Sequence, residues 1–176
     1  MNRGLIIGRF QPFHLGHLAA IKFALRSIEE LIIAIGSAEK SHEIRNPFTA
    51  GERIEMVKNS LDVSKGIDVR KILIIPVPDT NVHYLWTYQL DAMVPKYKMV
   101  FTNDPFTSMF FREKGTNVIE PPLHRREVLF ATGIRSRIAE NREWKALVTP
   151  QTVEVIEDIH GILRIKAIHA RSTVHA

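Results

Sequence analysis

Two histidines three residues apart, His14 and His17 in GRFQPFHLGHLAAI (8–21), follow a short apolar run, GLII (4–7), and open a stretch with helical spacing. The first turn of a helix leaves backbone N–H groups unpaired, and these, with the helix dipole, favour an anion. Side chains at i and i+3 share one face of that turn. Imidazole N–H groups can donate to phosphate oxygens without the desolvation cost of two permanent charges. Arg9, on the preceding turn, adds a fixed cation with fork geometry, and Gly16 permits close approach of a ligand or of backbone. Taken alone, the pair also reads as a solvated polar face or as half of a metal site. The sequence supplies no convergent third ligand, so no metal held by the protein itself is expected.

A second candidate lies late in the chain, FATGIRSRI (130–138), where Thr132 and Arg135 fall at a helix start. Taken alone it reads as an ordinary helix start with Thr132 as N-cap, whose backbone N–H groups can still bind phosphate.

These residues need a frame. Apolar runs of strand length alternate with helix-period stretches. GLII (4–7) precedes a helix marked by Leu18, Ile21, Leu25 and Ile28, and LIIAIG (31–36) is a second strand. Thr49 and Glu52 have capping-box spacing, and Ile54, Val57 and Leu61 continue that helix. KILIIPV (71–77) is a third strand, ended by Pro76 and Pro78. Val82, Trp86, Leu90 and Met93 outline a helix, KMVFTN (98–103) a fourth strand and NVIE (117–120) a fifth. From Thr132 the chain turns helical, ending in TVEVIEDIHG with Gly161 as C-cap.

The alternation implies an α/β fold, a Rossmann-like doubly wound parallel sheet of about five strands with helices on both faces. Strands apolar without alternation agree with burial on both sides. Ligands of such a sheet bind beyond the carboxyl ends of the strands, where all these motifs fall. A single domain over 1–176 is expected, with its core in 1–140, a C-terminal helical segment in 141–170 and a tail in 171–176.

Composition bounds the function. The chain has 176 residues, 45% hydrophobic and 24% charged, as in ordinary globular proteins. It contains no cysteine, which removes disulfides, thiolate nucleophiles and cysteine zinc sites. No apolar run approaches the roughly 18 residues of a membrane span. MNRGLIIGRF has too short an apolar part for a secretory signal, so a cytoplasmic location is expected. The net charge of +5, from 24 basic against 19 acidic residues, suits nucleic acid or a phosphate-rich small molecule. The densest basic run is only HRRE (124–127). Diffuse basicity of this kind favours the smaller anion.

The string with Gly8, Arg9, Phe10, Pro12, His14, Gly16 and His17 directly after a strand resembles the G-x-F-x-P-x-H-x-G-H signature of the nucleotidyltransferase superfamily. In that family the motif holds a nucleoside triphosphate and stabilises charge on the α-phosphate as pyrophosphate leaves. FATGIRSRI is similar to the family's late Ser-Ser-Thr-x-Ile-Arg element, which grips the β- and γ-phosphates. Thr132, Ile134 and Arg135 match, whereas Phe130 and Ala131 replace the two serines and remove two hydroxyl donors.

Three further segments, IGSAEKSHEIRNPFTAGER (35–53), IPVPDTNVHYLW (75–86) and FTNDP (101–105), resemble the archaeal nicotinamide-mononucleotide (NMN) adenylyltransferases. With the phosphate motifs the resemblance covers most of 4–138, and VEVIEDIHGILRIK is similar to that family's C-terminal helix. It implies transfer of AMP from ATP to NMN, giving NAD and pyrophosphate. Gly8, Arg9, Phe10, His14, Gly16, His17, Asn103, Thr132 and Arg135 would bind ATP, and His14, His17, Arg9 and Arg135 would act in catalysis. Arg45, Asp79, His83 and Trp86 would bind NMN, with Trp86 offering a π-face to the cationic pyridinium. From the residues alone Trp86 also reads as a core residue, Arg45 as a surface ion pair and Asn103 as a turn residue, and Lys40, in the phosphate-facing loop, reads as a solvated lysine. Mg²⁺ would be held mainly through ATP phosphates and water. The resemblance also implies a homo-oligomer, since archaeal members form hexamers, and no nucleic-acid or membrane partner. The alternatives are another acceptor on the same fold, such as phosphopantetheine, flavin mononucleotide or a cytidylyl acceptor, and a non-catalytic nucleotide- or nucleic-acid-binding module.

Overall fold

The computed structural model describes residues 2–82, 85–123 and 127–174, with side chains as far as Arg171. Five strands, β1 (Arg3–Gly8), β2 (Glu30–Ile35), β3 (Ile72–Pro76), β4 (Met99–Phe101) and β5 (Asn117–Ile119), form one sheet in the order β3-β2-β1-β4-β5. Every pairing is parallel, with Leu5 opposite Ile32 on one side and opposite Val100 on the other. This is the expected doubly wound α/β arrangement. The strand order reverses between β1 and β4, which opens a crevice above the carboxyl end of β1, where ligands of such sheets bind.

Seven helices connect and cover the sheet among the described residues: α1 (Leu15–Ala24), α2 (Ala50–Asp62), α3 (Trp86–Met93), α4 (Pro105–Glu113), α5 (Ala131–Ala139), α6 (Pro150–Asp158) and α7 (Gly161–Val174). Period-two alternation sends Ile6, Ile33, Ile35 and Phe101 into one core and Leu5, Ile32, Ala34 and Val100 into the other. The first core receives Ile21 of α1, Met56 and Val57 of α2, Ile134 and Ile138 of α5, Ile156 of α6 and Ile165 of α7. The second receives Leu90 of α3 and Phe111 of α4.

The Thr49–Glu52 capping box forms as its spacing predicts, with the Thr49 N–H donating to Glu52 Oε2 at 2.8 Å and the Glu52 N–H to Thr49 Oγ1 at 3.3 Å. Glu52 also accepts both terminal nitrogens of Arg164, at 2.7 and 2.8 Å, which seats α7 on the start of α2. Pro76 is tolerated inside β3 because β3 is an edge strand.

Three boundaries differ from the sequence reading. α1 ends at Ala24, and Ile28 packs on the core from the turn before β2. The helix outlined from Val82 begins only at Trp86. Gly161 is not a C-cap. His160 takes the left-handed turn at φ 53° and Gly161 opens α7, so the helical region runs on to Val174. Crowding explains the glycine: a Cβ there would lie 2.9 Å from Phe48 Cε1 and 3.0 Å from the Ile156 carbonyl oxygen.

Candidate active site

His14 is the N-cap of α1, with extended backbone at φ −141°. Its Nδ1 accepts the Gly16 N–H at 3.1 Å and, at 3.4 Å, the His17 N–H, while His17 Nδ1 accepts the His14 N–H at 3.2 Å. The two imidazoles thus make a reciprocal capping box and stack with ring centroids 3.6 Å apart. Because both Nδ1 atoms accept from backbone, both rings are neutral and carry their proton on Nε2. The turn therefore presents two N–H donors rather than two cations.

Burial reinforces this. It lowers the His14 pKa to about 4, and burial with the neighbouring His14 holds His17 well below the ordinary range. Gly16 serves the cap, since a Cβ there would lie 3.0 Å from the His14 ring.

These shifts have a consequence for stability. Below pH 6.5 the unfolded histidines bind protons that the folded rings refuse, so stability falls as pH drops from 6.5 towards 4. The His14 shift corresponds to about 3 kcal/mol across that window. Denaturant midpoints measured across it should show the slope, and His14→Asn, which caps without titrating, should flatten it. An equal slope in the variant would contradict the neutral pair.

Beneath the histidines, Phe10 is a core residue, 1% exposed, with its ring edge against His17 at 4.8 Å. The side chain thus supports the His17 ring, which leaves the Phe10 backbone for the expected contact with nucleotide. Gly8 makes room for it, because a Cβ there would lie 2.9 Å from Phe10 Cζ.

A cleft of about 670 Å³ lies beyond the strand ends. It brings together the expected Gly8, Arg9, Asp79 and Trp86, and adds Ser37, Lys40, Asp104, Phe106 and Phe110. Burial alone would raise the Asp79 pKa, but Lys40 Nζ at 2.7 Å and Ser37 Oγ at 3.0 Å hold it below the usual carboxylate value. Lys40 is thus an ion-paired wall of the cleft. Trp86 is half-buried, packs edge-on against Phe111 at 6.0 Å and also faces the cleft. The ring is thus partly core and partly cleft wall.

Other expected residues sit elsewhere. Arg135 is buried, donating to the Gln11 carbonyl at 2.8 Å and to Thr132 Oγ1 at 3.3 Å. Burial, with Arg9 and Arg45 nearby, lowers its pKa to about 10, so it stays charged at neutral pH. Phe130, not Thr132, occupies the N-cap of α5, and it makes no side-chain cap bond. Arg45 lines a separate cleft of about 520 Å³ with His42 and Arg171 of α7. Asn103 donates to the Pro121 carbonyl at 2.8 Å and borders a third cleft beside α4. His83 lies outside the described residues, as do residues 124–126 of the basic run.

Sequence reasoning missed Arg53, Phe106 and Phe110. For Arg53 a signal existed: it shares a helical stripe with Met56, Val57, Ser60 and Leu61, all buried. The two phenylalanines stand at i and i+4 on α4 and gave no sign of facing a cleft.

Comparison with known proteins bears on this site. Residues 5–154 match the cytidylyltransferase-like family model. The chain is 42% identical over 168 residues to the nicotinamide-nucleotide adenylyltransferase of Pyrococcus furiosus, covering 96% of this chain and 89% of that one. It is 45% identical to the Saccharolobus solfataricus enzyme of the same name, over 96% and 97% of the two chains. The chain belongs to the nicotinamide-nucleotide adenylyltransferase family. A structural relative, the bifunctional NMN adenylyltransferase/ADP ribose pyrophosphatase of Francisella tularensis crystallised with AMP and a manganese ion, superposes with a TM-score of 0.81 at 26% identity. That match covers 98% of this chain and 53% of the bifunctional one, so the chain spans about half of it.

Within the family frame, the described residues contain no cluster of three metal-ligating side chains and no helix long and apolar enough to cross a membrane.

Proposed function

We propose that the chain transfers AMP from ATP to nicotinamide mononucleotide, forming NAD and pyrophosphate. Its kinship to nicotinamide-nucleotide adenylyltransferases at 41–45% identity supports this reading. The observation that carries it is the cleft itself. Trp86, Phe106 and Phe110 line it, and its carboxylates Glu39, Asp79 and Asp104 outnumber its cations Arg9 and Lys40. That combination suits a flat aromatic cation, and pyridinium is the cationic ring of NMN.

The acceptor's 5′-phosphate is already ionised at neutral pH, so its oxygen attacks the α-phosphorus of ATP without a general base. One P–O bond forms, the bond to the β-phosphate bridging oxygen breaks, and pyrophosphate leaves with the electron pair. Catalysis then rests on alignment and on donors aimed where charge develops. The Nε2–H groups of His14 and His17, at the anion-favouring start of α1, would serve the α-phosphate and the bridging oxygen. Arg9 and Arg135 would supply compensating charge, and the uncapped N–H groups of α5 would meet the outer phosphates. Asn103, through its side-chain oxygen, and Thr132 would complete the ATP contacts. Arg45 would take the acceptor phosphate, and Asp79, His83 and Trp86 would hold its nucleoside.

The donor set fits a cation that arrives on the nucleotide: Asp79 is engaged by Lys40 and Ser37, and Asp104 caps α4 through the Thr107 N–H. Mg²⁺ would enter with the nucleotide and offset the charge of its phosphates while keeping most of its water. A cytoplasmic homo-oligomer completes the proposal.

A panel of acceptors tests it by pyrophosphate release from ATP. NMN should support release and NAD should accumulate. Turnover of phosphopantetheine, flavin mononucleotide or a cytidylyl acceptor without NMN turnover would replace the acceptor. Salt-sensitive oligonucleotide binding without release would replace the class.

A further inference from the structure

One fully buried cation ties together the loops that flank the cleft. Arg53 of α2 is 0% exposed, and its hydrogen bonds all go to backbone carbonyls. Its NH1 donates to the carbonyl of Arg9, after β1, at 2.9 Å and to that of Gly36, after β2, at 2.7 Å. Its NH2 donates to the Ser37 carbonyl at 3.0 Å, and Nε to the Thr49 carbonyl at 3.1 Å. Among the described residues no carboxylate pairs with it. A buried, unpaired cation is an expensive way to fill space, since an apolar side chain of similar volume would do so without desolvation cost.

The bonds fall where the backbone is strained. Phe10 and Ser37 both adopt left-handed conformations, at φ 50° and 49°, which non-glycine residues rarely do. Such conformations persist only where the surroundings over-determine them. Arg53 holds the carbonyl just before Phe10 and the carbonyls on both sides of the Ser37 φ and ψ angles. Because a trans peptide points its N–H opposite to its C=O, the same bonds turn the Phe10 and Ser37 N–H groups away from the guanidinium. Arg9 and Gly8 of one loop and Gly36 and Ser37 of the other line the cleft.

We propose that Arg53 is a positioning residue: it locks the left-handed turns at Phe10 and Ser37 and thereby sets the distance between the loop after β1 and the loop after β2. The inference rests on the adenylyl-transfer reading, in which the first loop serves the triphosphate and the second borders the acceptor. Arg53 touches neither substrate. It fixes how far apart they lie, and misplacement of about 1 Å costs on the order of 10²-fold in rate.

Arg53→Lys keeps the charge but cannot fork across three segments. The folded variant, confirmed by its melting transition, should lose on the order of 10²-fold in kcat with KM values for ATP and NMN within about threefold. Ser37→Gly supplies the second arm. Glycine adopts the left-handed turn without strain, so the Arg53→Lys penalty on kcat should shrink to below about tenfold in that background, a coupling a role in stability alone would not produce. A folded Arg53→Lys chain with kcat within about twofold of the parent would overturn the proposal. So would a cycle in which the two effects multiply independently, or an Arg53→Lys chain that fails to fold, which would assign the residue to stability. The parent chain assayed alongside keeps the two ideas apart. If it makes no NAD, the adenylyl-transfer reading fails and takes this inference with it; if it does and the variant matches it, only this inference fails.

Discussion

His17→Ala should lower kcat by on the order of 10²-fold, the cost of one donor aimed at charge that develops in the transition state. The acceptor KM should barely move, because in the proposed mechanism the Nε2–H serves the α-phosphate rather than the pyridine nucleoside. The same substitution removes a cap acceptor, since His17 Nδ1 takes the His14 N–H. That part should cost about 1 kcal/mol of stability, too little to unfold a domain. Steady-state kinetics on the purified variant, with its melting temperature as control, separates the two effects. Near-normal turnover would remove this turn from the catalytic site.

Trp86→Ala should weaken NMN and NAD binding while leaving the ATP KM nearly unchanged. The cation–π part alone is worth about 0.5 to 2 kcal/mol, and lost stacking area adds to it. Trp86→Phe should recover part of the loss, because a smaller π-face remains. The tryptophan also packs on Phe111, so some stability will be lost. Full burial would make that loss about 3 to 5 kcal/mol, but the ring is half-buried and open to the cleft, so a smaller drop is expected. Acceptor titration and thermal melting on the same variant read both effects. A large fall in melting temperature with unchanged acceptor affinity would return Trp86 to the core and reopen the acceptor's identity.

What was legible in the sequence follows from which forces are local. The five strands announce themselves as apolar runs because a parallel sheet buries both faces. The capping box of α2 is a contact between neighbours in sequence, and it formed with the residues its spacing names. The paired histidines were legible as a helix start for the same reason. Which nitrogen of each ring keeps its proton was not, because that depends on which backbone N–H each Nδ1 accepts in the fold. Arg53 hid in plain view: composition counts it as a surface cation, and only its stripe-mates betray burial. Arg45 and Asn103 were placed by resemblance, whereas in the fold Arg45 shares a cleft with Arg171 of α7 and Asn103 bonds the Pro121 carbonyl. Neither neighbour is local. Gly161 misled because glycine after a helix usually marks a left-handed cap, whereas here it makes room for Phe48 and His160 takes the turn.

The central claim is adenylyl transfer to a pyridine mononucleotide, and the fate of the α-phosphate tests it most directly. With ATP labelled at the α-phosphorus and NMN as acceptor, the label should appear in NAD, with unlabelled pyrophosphate released in equal amount. Label found in free AMP, in pyrophosphate, or left in ATP while the chain binds NMN would contradict it.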